Sequence, residues 1–106
     1  MIIGIAGPYS AATEDQRAQN FDAMNAAAAK VFEKGHIPFI GANMALPIVA
    51  KGSVPDAYEA VMKISLAVID KCDAILMIGE SKGANREKEL IVSKGLPVYY
   101  SIDELP

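Results

Sequence analysis

Short apolar runs alternate with segments of helical periodicity along this chain. The runs cover residues 2–6, 37–40, 74–78 and 97–100, and such runs are typical of buried strands. Between the runs, apolar residues recur every three or four positions, which places them on one face of a helix. Strands that alternate with helices form a parallel sheet with helices on both faces. Because 106 residues suffice for one core only, we expect a single α/β domain over residues 1–106.

Three helices are predicted between the strands. The first begins at residues 13–16, which have capping-box spacing, and ends at Gly35. The second begins at residues 53–56 and ends near Lys71, and the third covers residues 84–94. The positions that we expect to face the core on the first two helices are Phe21, Met24, Ala28, Val31, Phe32, Ala57, Val61, Ile64 and Val68.

Two segments show no regular pattern. Residues 41–52 are interpreted as a long loop, apolar in places, and long loops of compact domains often act as lids. Residues 101–106 are expected to form a short polar tail. Pro38 has no amide N–H to give to a neighbouring strand, so the second strand is predicted at an edge of the sheet.

The order of the strands predicts where a ligand binds. Right-handed crossovers leave few topologies, and we predict the order 2-1-3-4 of a three-layer, doubly wound, flavodoxin- or Rossmann-like fold. In that order the chain changes direction between strands 1 and 3, and ligands bind outside the carboxyl ends of those strands. The first of the two loops there contains Gly7, Pro8, Tyr9 and Ser10, and the second covers residues 79–83.

The stretch from Ser81 to Glu87 predicts an anion site in the same crevice. It follows an apolar strand, contains Gly83 and opens a helix. The first N–H groups of a helix have no internal acceptors, and the helix dipole adds partial positive charge there. Glu87 lies about one turn into the helix and can face the same crevice. An anion cradle beside a carboxylate indicates chemistry on a phosphorylated or sugar-bearing ligand.

Composition narrows the function classes. A formal net charge of −3, without a cluster of basic residues, argues against nucleic-acid binding. The single cysteine, Cys72, allows no internal disulfide and suits a reducing compartment. No signal peptide and no apolar stretch of the ~20 residues of a membrane helix is seen. No His, Cys, Asp or Glu cluster has metal-ligand spacing. We therefore expect a cytoplasmic protein without membrane contact.

Six motifs in order along the chain carry a resemblance to a known family: Ile5-Ala6-Gly7-Pro8-Tyr9-Ser10, Arg17-x-x-Asn20, Gly35-His36-x-Pro38-Phe39, Cys72-Asp73-Ala74, Ser81-x-Gly83-Ala84-x-x-Glu87 and Gly95-x-Pro97-Val98-Tyr99. Together they resemble the nucleoside 2-deoxyribosyltransferase-like superfamily, which includes the deoxynucleoside 5′-monophosphate N-glycosidases. The resemblance covers almost the whole chain. It implies cleavage of the N-glycosidic bond of a (deoxy)nucleoside or its 5′-phosphate, with transfer of the sugar to another base or to water.

The resemblance also implies roles for individual residues. Glu87 matches the nucleophile that attacks the anomeric carbon, and Ser81 matches a serine that holds the 5′-phosphate in the phosphate-using members. A nucleophilic carboxylate must be ionised, and we expect the helix N-terminus to favour that form. The predicted substrate-binding residues are Gly7, Pro8, Tyr9, Ser10, Ser65, Gly79, Ser81, Gly83 and Asn85. No metal or organic cofactor is implied, and members of the family assemble as homodimers or larger homo-oligomers.

The sequence departs from the family pattern at two positions. Ser65 stands where the family has a second catalytic acid, and a serine cannot deliver a proton as a carboxylic acid can. Asp70, Asp56 and Glu59 are the nearest acids on the predicted helix. Gly4 stands where some members carry an aromatic residue that stacks on the base, and Tyr9, Tyr58 or Met44 could replace it.

Three functions therefore compete at the level of sequence. The first is an enzyme that acts on an N-glycosidic bond with Glu87 as nucleophile. The second is a nucleotide-binding module of the same fold that has lost the general acid. The third is an assembly protein that kept the fold and lost the pocket, and a pocket lined by both Ser81 and Glu87 would count against it.

Overall fold

The four predicted strands form one parallel sheet. The computed structural model describes residues 1–106, with strands β1 (Ile2–Ala6), β2 (Ile37–Phe39), β3 (Ala74–Met77) and β4 (Val98–Tyr99). All neighbouring strands pair in parallel, in the order β2-β1-β3-β4, which confirms the predicted doubly wound topology. Strand β2 lies at an edge, as Pro38 indicated.

Helices cover both faces of this sheet. They are α1 (Glu14–Glu33), α2 (Gly41–Lys51), α3 (Ala57–Ile69) and α4 (Lys82–Ser93), followed by a 3₁₀ turn over Ile102–Glu104. One apolar cluster joins α1 to the face that Ile3 and Ile5 of β1 present. A second cluster joins α3 and α4 to the opposite face, with Ile75 of β3 at its centre. The sheet is thus the middle of three layers.

Residues 41–52 do not form the predicted loop. They form helix α2, which packs along α3 and buries Ala42 and Ala45. Nothing in the sequence indicated this helix, because glycines lie at both of its ends and Pro47 lies inside it. A proline inside a helix costs ~3 kcal/mol. Burial against α3 offsets that cost, so the interpretation of this segment as a loop was wrong, and it is a helix that packs on α3.

Three further expectations about burial were wrong. Phe32 is 63% exposed, because it lies on the outer side of α1 beside the turn at Gly35. On α3, Val61 is buried as predicted, but the stripe is rotated, because α2 and α4 contact this helix from two sides. Its other buried residues are Met62, Ser65 and Ile69, while Ala57 is exposed and Ile64 and Val68 are half-buried. The tail is anchored rather than merely polar, since Leu105 is buried against the α1 side of the sheet.

Helix α2 begins in close contact with α3. A Cβ atom on Gly41 would lie 2.9 Å from Ser65 Cβ and 3.0 Å from Ser65 Cα, and the backbone of α3 cannot move aside easily. We expect Gly41→Ala to lower the free energy of unfolding by about 2 kcal/mol, measured by urea denaturation. Gly52→Ala is the matched control, because its nearest neighbour would lie at 3.6 Å. Equal stability of the two variants would contradict this packing.

Candidate active site

A cavity of about 210 Å³ lies where the loops after β1 and β3 meet. Its walls come from those two loops, from α1, from the start of α2, from α3 and from the first turns of α4. The predicted site residues that line it are Gly7, Pro8, Tyr9, Ser10, Ser65, Ser81, Gly83 and Glu87. Because Ser81 and Glu87 both line an open cavity, the interpretation that the pocket has been lost is disfavoured.

Two predicted binding residues, Gly79 and Asn85, lie outside the lining. Gly79 has a packing role: a Cβ atom there would lie 2.9 Å from Pro8 Cδ. Gly7 is its counterpart, since a Cβ there would lie 2.6 Å from Ile78 Cγ1. The two loops therefore interlock through glycines. Asn85 makes a regular helical hydrogen bond, in which its N–H donates to the Ser81 carbonyl at 2.9 Å.

Helix α1 holds the first of these loops in place. Arg17 Nη1 donates to the carbonyl of Ala11 at 2.7 Å, and Asn20 Nδ2 donates to the carbonyl of Tyr9 at 3.2 Å. The Tyr9 ring lies against Phe21, with ring centroids 6.2 Å apart. The Arg-x-x-Asn motif thus acts on the site indirectly, by fixing the loop that carries Tyr9.

The N-terminus of α4 presents free amides to the cavity. Ser81 caps this helix, and its Oγ accepts a hydrogen bond from the Ala84 N–H at 3.0 Å. The N–H groups of Lys82 and Gly83, the first two residues of the helix, have no acceptor within it. Both residues line the cavity, and the Ser81 hydroxyl proton remains available to a ligand. An anion placed here would meet donors and the positive end of the helix dipole.

Glu87 is the ionisable group buried in this site. It is 9% exposed, and its Oε2 atom is buried without a hydrogen-bond partner. Burial raises the pKa of Glu87 from 4.5 to about 8, because desolvation disfavours the charged form. The expectation that the helix N-terminus favours the ionised form of this carboxyl was wrong. Dipole effects fade after the first turn, and desolvation is the larger effect at Glu87.

The strands and helices that build this cavity all lie within the match to one protein family. The family model described as "Domain of unknown function (DUF4406)" matches residues 1–100. The chain belongs to the DUF4406 family. The sequence matches no curated protein at a significant level. The DUF4406 match extends from β1 through β4, so every residue that lines the cavity lies inside it.

No other carboxyl group lines the cavity of this DUF4406 chain. Asp56 caps α3 by accepting from the Glu59 N–H at 3.1 Å. Glu59 forms an ion pair with Arg86 at 2.9 Å, and Asp70 forms one with Lys94 at 3.2 Å. Each of the three acids considered as a replacement for the second acid that the resemblance implies is therefore engaged elsewhere. Ser65 itself is 2% exposed and lies in the lining.

The absence of an aromatic residue at Gly4 has a structural cause. A Cβ atom there would lie 2.7 Å from Ile69 Cδ1 and 3.4 Å from Cys72 Sγ. These neighbours belong to the apolar cluster on the α3 and α4 side of the sheet. Ile5, which lines the cavity, belongs to the opposite cluster. A side chain at this position of the DUF4406 chain would therefore clash with the core.

Sequence reasoning missed two contributions to the site. Lys82 lines the cavity, although only its neighbours Ser81 and Gly83 were predicted to do so. Tyr58, considered only as a possible stacking residue, lines the cavity with a buried hydroxyl that has no hydrogen-bond partner. Helical spacing could have indicated Tyr58, because Tyr58 and Ser65 lie two turns apart on one face of α3.

Two classes of site are not found in this DUF4406 domain. No group of three or more His, Cys, Asp and Glu side chains is arranged to hold a metal ion. None of the helices combines the length and the hydrophobicity that a membrane-spanning segment requires.

Proposed function

We propose that this protein cleaves or transfers the glycosyl group at the N-glycosidic bond of a (deoxy)nucleoside or nucleoside 5′-monophosphate. The observation that carries this proposal is the buried, unpartnered carboxyl of Glu87 in a cavity that also holds the N-terminus of α4. A buried carboxyl without a partner is unfavourable for folding. Such groups are concentrated at functional sites, and the resemblance described above assigns this one as a nucleophile.

In the proposed reaction, the ionised Glu87 carboxylate attacks the anomeric carbon. The bond from that carbon to the base nitrogen breaks, and a glycosyl ester of Glu87 forms. Positive charge develops on the sugar during this step, and a buried carboxylate stabilises it strongly. Water or a second base then attacks the same carbon and releases the carboxylate. Because burial raises the pKa of Glu87 to about 8, the ionised carboxylate is poorly solvated and gains more from a cationic transition state than it would in water.

The volume of the cavity is consistent with a nucleoside or nucleotide as ligand. The cavity adjoins an apolar depression of about 360 Å³, and Tyr9, Ser10 and Tyr58 line both. Together the two spaces fall in the range of roughly 300–1,000 Å³ that is typical of small-molecule sites. The free amides of α4 and the Lys82 ammonium group supply anion donors for a 5′-phosphate.

A nucleotide-binding module without turnover is the second candidate. The observation that favours it is that Glu87 is the only carboxyl in the cavity lining, whereas retaining glycosidases normally use two carboxyl groups ~5 Å apart. This candidate predicts that nucleotides raise the melting temperature by mass action although no base is released.

The oligomeric state and the cellular compartment are also part of the proposal. We propose a homodimer or larger homo-oligomer, because α2 exposes Met44 and Ile48 to solvent at 54% and 52%, and exposed apolar side chains on one helix favour association. We propose the cytoplasm as the compartment, since Cys72 is a free thiol and reducing conditions keep thiols free.

The test is release of free base from a pool of nucleosides and nucleoside 5′-monophosphates, read by chromatography. We expect the natural protein to release base and Glu87→Ala to release none above background. Glu89→Ala on the exposed side of the same helix is the control and should retain activity. Release by Glu87→Ala at the natural rate would refute the mechanism. A thermal shift without base release would favour the binding module.

A further inference from the structure

Tyr58 is the second unsatisfied polar group of the candidate site. The only two buried side-chain oxygens without a hydrogen-bond partner in the whole chain are Tyr58 Oη and Glu87 Oε2. Both residues line the same cavity. Burying a hydroxyl without a partner is unfavourable, and buried tyrosine hydroxyls usually find one. Two such groups in one cavity indicate that a ligand completes the hydrogen bonds of both.

Two cations lie against the Tyr58 ring. Lys82 Nζ is 5.1 Å and Arg86 Cζ is 5.8 Å from the ring centroid. The approach of the Tyr58 side chain is also the largest cause of a raised pKa at Arg86, followed by Glu59, although no hydrogen bond of acceptable geometry joins Arg86 to the Tyr58 hydroxyl. Two positively charged side chains therefore lie beside the Tyr58 ring.

The cations also limit what the ring can do. Lys82 and Arg86 are one turn apart on α4 and so approach Tyr58 from the same side. A base cannot stack on a ring face that these side chains already cover. The unpaired hydroxyl group is the polar part of Tyr58 that can act on a ligand.

We propose that Tyr58 is the proton donor to the leaving base, in place of the carboxylic acid that Ser65 cannot supply. This inference rests on the proposed function, because it assigns a role in that reaction. It follows from three observations: a buried, unpaired hydroxyl on a residue that lines the cavity of Glu87, two cations beside the ring that carries it, and no second carboxyl in the lining.

The proton balance of the proposed step is complete. When Glu87 attacks the anomeric carbon, the electron pair of the broken bond goes to the base nitrogen, and the Tyr58 hydroxyl proton goes to the base. Tyr58 becomes a phenolate beside Lys82 and Arg86. In the second step water attacks the glycosyl ester, its oxygen bonds to the anomeric carbon, and its proton returns to the phenolate. Both side chains regain their starting forms.

Leaving-group dependence tests this role. An ordinary purine nucleoside needs a proton on its departing base, whereas an N7-methylated purine nucleoside carries a cationic base that leaves as a neutral molecule without one. We expect Tyr58→Phe to lower kcat for ordinary guanosine, deoxyguanosine and their 5′-monophosphates by about 100-fold or more. For the N7-methylated counterparts we expect less than about a threefold change. The loss should appear in kcat and leave KM nearly unchanged.

Matched variants separate the outcomes. Tyr100→Phe removes the same group from an exposed ring and should leave both substrates unaffected. Equal loss by Tyr58→Phe on both substrates would assign a structural role and overturn the proposal, as would no loss on either. If the natural protein releases no base from the whole pool of nucleosides and nucleoside 5′-monophosphates, the proposed function fails and this inference fails with it. A selective loss on the ordinary substrates supports both.

Discussion

Glu87→Gln is expected to raise the free energy of unfolding at pH 9 by about 3 kcal/mol. The folded chain holds the Glu87 proton until about pH 8, whereas the ordinary value of the group is 4.5. Between these values the folded state binds more protons than the unfolded state, so stability falls as pH rises. Above pH 8 the carboxylate is buried without a partner. Glutamine is neutral at every pH and avoids this cost.

The measurement is urea denaturation of both proteins at pH 4, 7 and 9. The difference should be small at pH 4, where both states of the natural protein carry the proton, and should widen steadily to its full value above pH 8. The full span from 4.5 to about 8 gives an upper bound of about 5 kcal/mol, which structural relaxation reduces. Glu89→Gln, on an exposed residue of α4, is the control. A constant difference across pH would contradict the assigned cause.

The rate of base release is expected to rise steeply with pH. If the Glu87 carboxylate is the nucleophile, kcat/KM follows the ionised fraction of the free protein. That fraction grows about tenfold per pH unit below the pKa of about 8 and levels off above it. Between pH 5 and pH 8 we therefore expect an increase of at least about 100-fold.

Initial rates over pH 5–9, with stability followed in parallel, measure this dependence. The natural protein becomes less stable over the same range, so a rising rate cannot come from improved folding. A rate that falls as pH rises through about 8 would assign Glu87 the part of a proton donor. A rate that does not change with pH would show that ionisation of the Glu87 carboxyl does not affect the rate-limiting step.

Both predictions have one physical origin. Two residues that line the cavity, Glu87 and Tyr58, each bury a polar oxygen without a hydrogen-bond partner. Apolar or neutral side chains at these positions would make the folded state more stable. Chains that retain unfavourable groups in one place do so where a ligand completes them. Higher stability of Glu87→Gln, together with loss of base release, would therefore be the expected trade between folding and activity.

The strands and three of the helices could be predicted because their signals are local. Thr13 and Ser81 accept hydrogen bonds from backbone N–H groups at the starts of α1 and α4, as their positions before helical patterns indicated. Gly35 and Gly95 have positive φ values of 93° and 72°, which glycine adopts without strain. These groups determine where helices begin and end with little help from the remainder of the chain.

Helix α2 could not be predicted, because its signals point the other way. Pro47 inside the helix and glycines at both ends favour a loop on local grounds. The helix exists because α3 covers Ala42 and Ala45. The rotation of the buried stripe on α3 has the same cause, since a helix with neighbours on two sides buries residues that a one-sided pattern leaves out.

The order of the strands and the position of the crevice could be predicted from the chain alone, because crossover handedness and the glycines of two loops restrict the topology. Ser81 and Glu87 were predicted as well. The folded arrangement was needed to show that Glu87 is buried without a partner, that Asp56, Glu59 and Asp70 lie away from the cavity, and that Tyr58 lines it. The physical reason is that desolvation and proximity depend on side chains from α2, α3 and α4, which are distant in sequence and meet only in the folded chain.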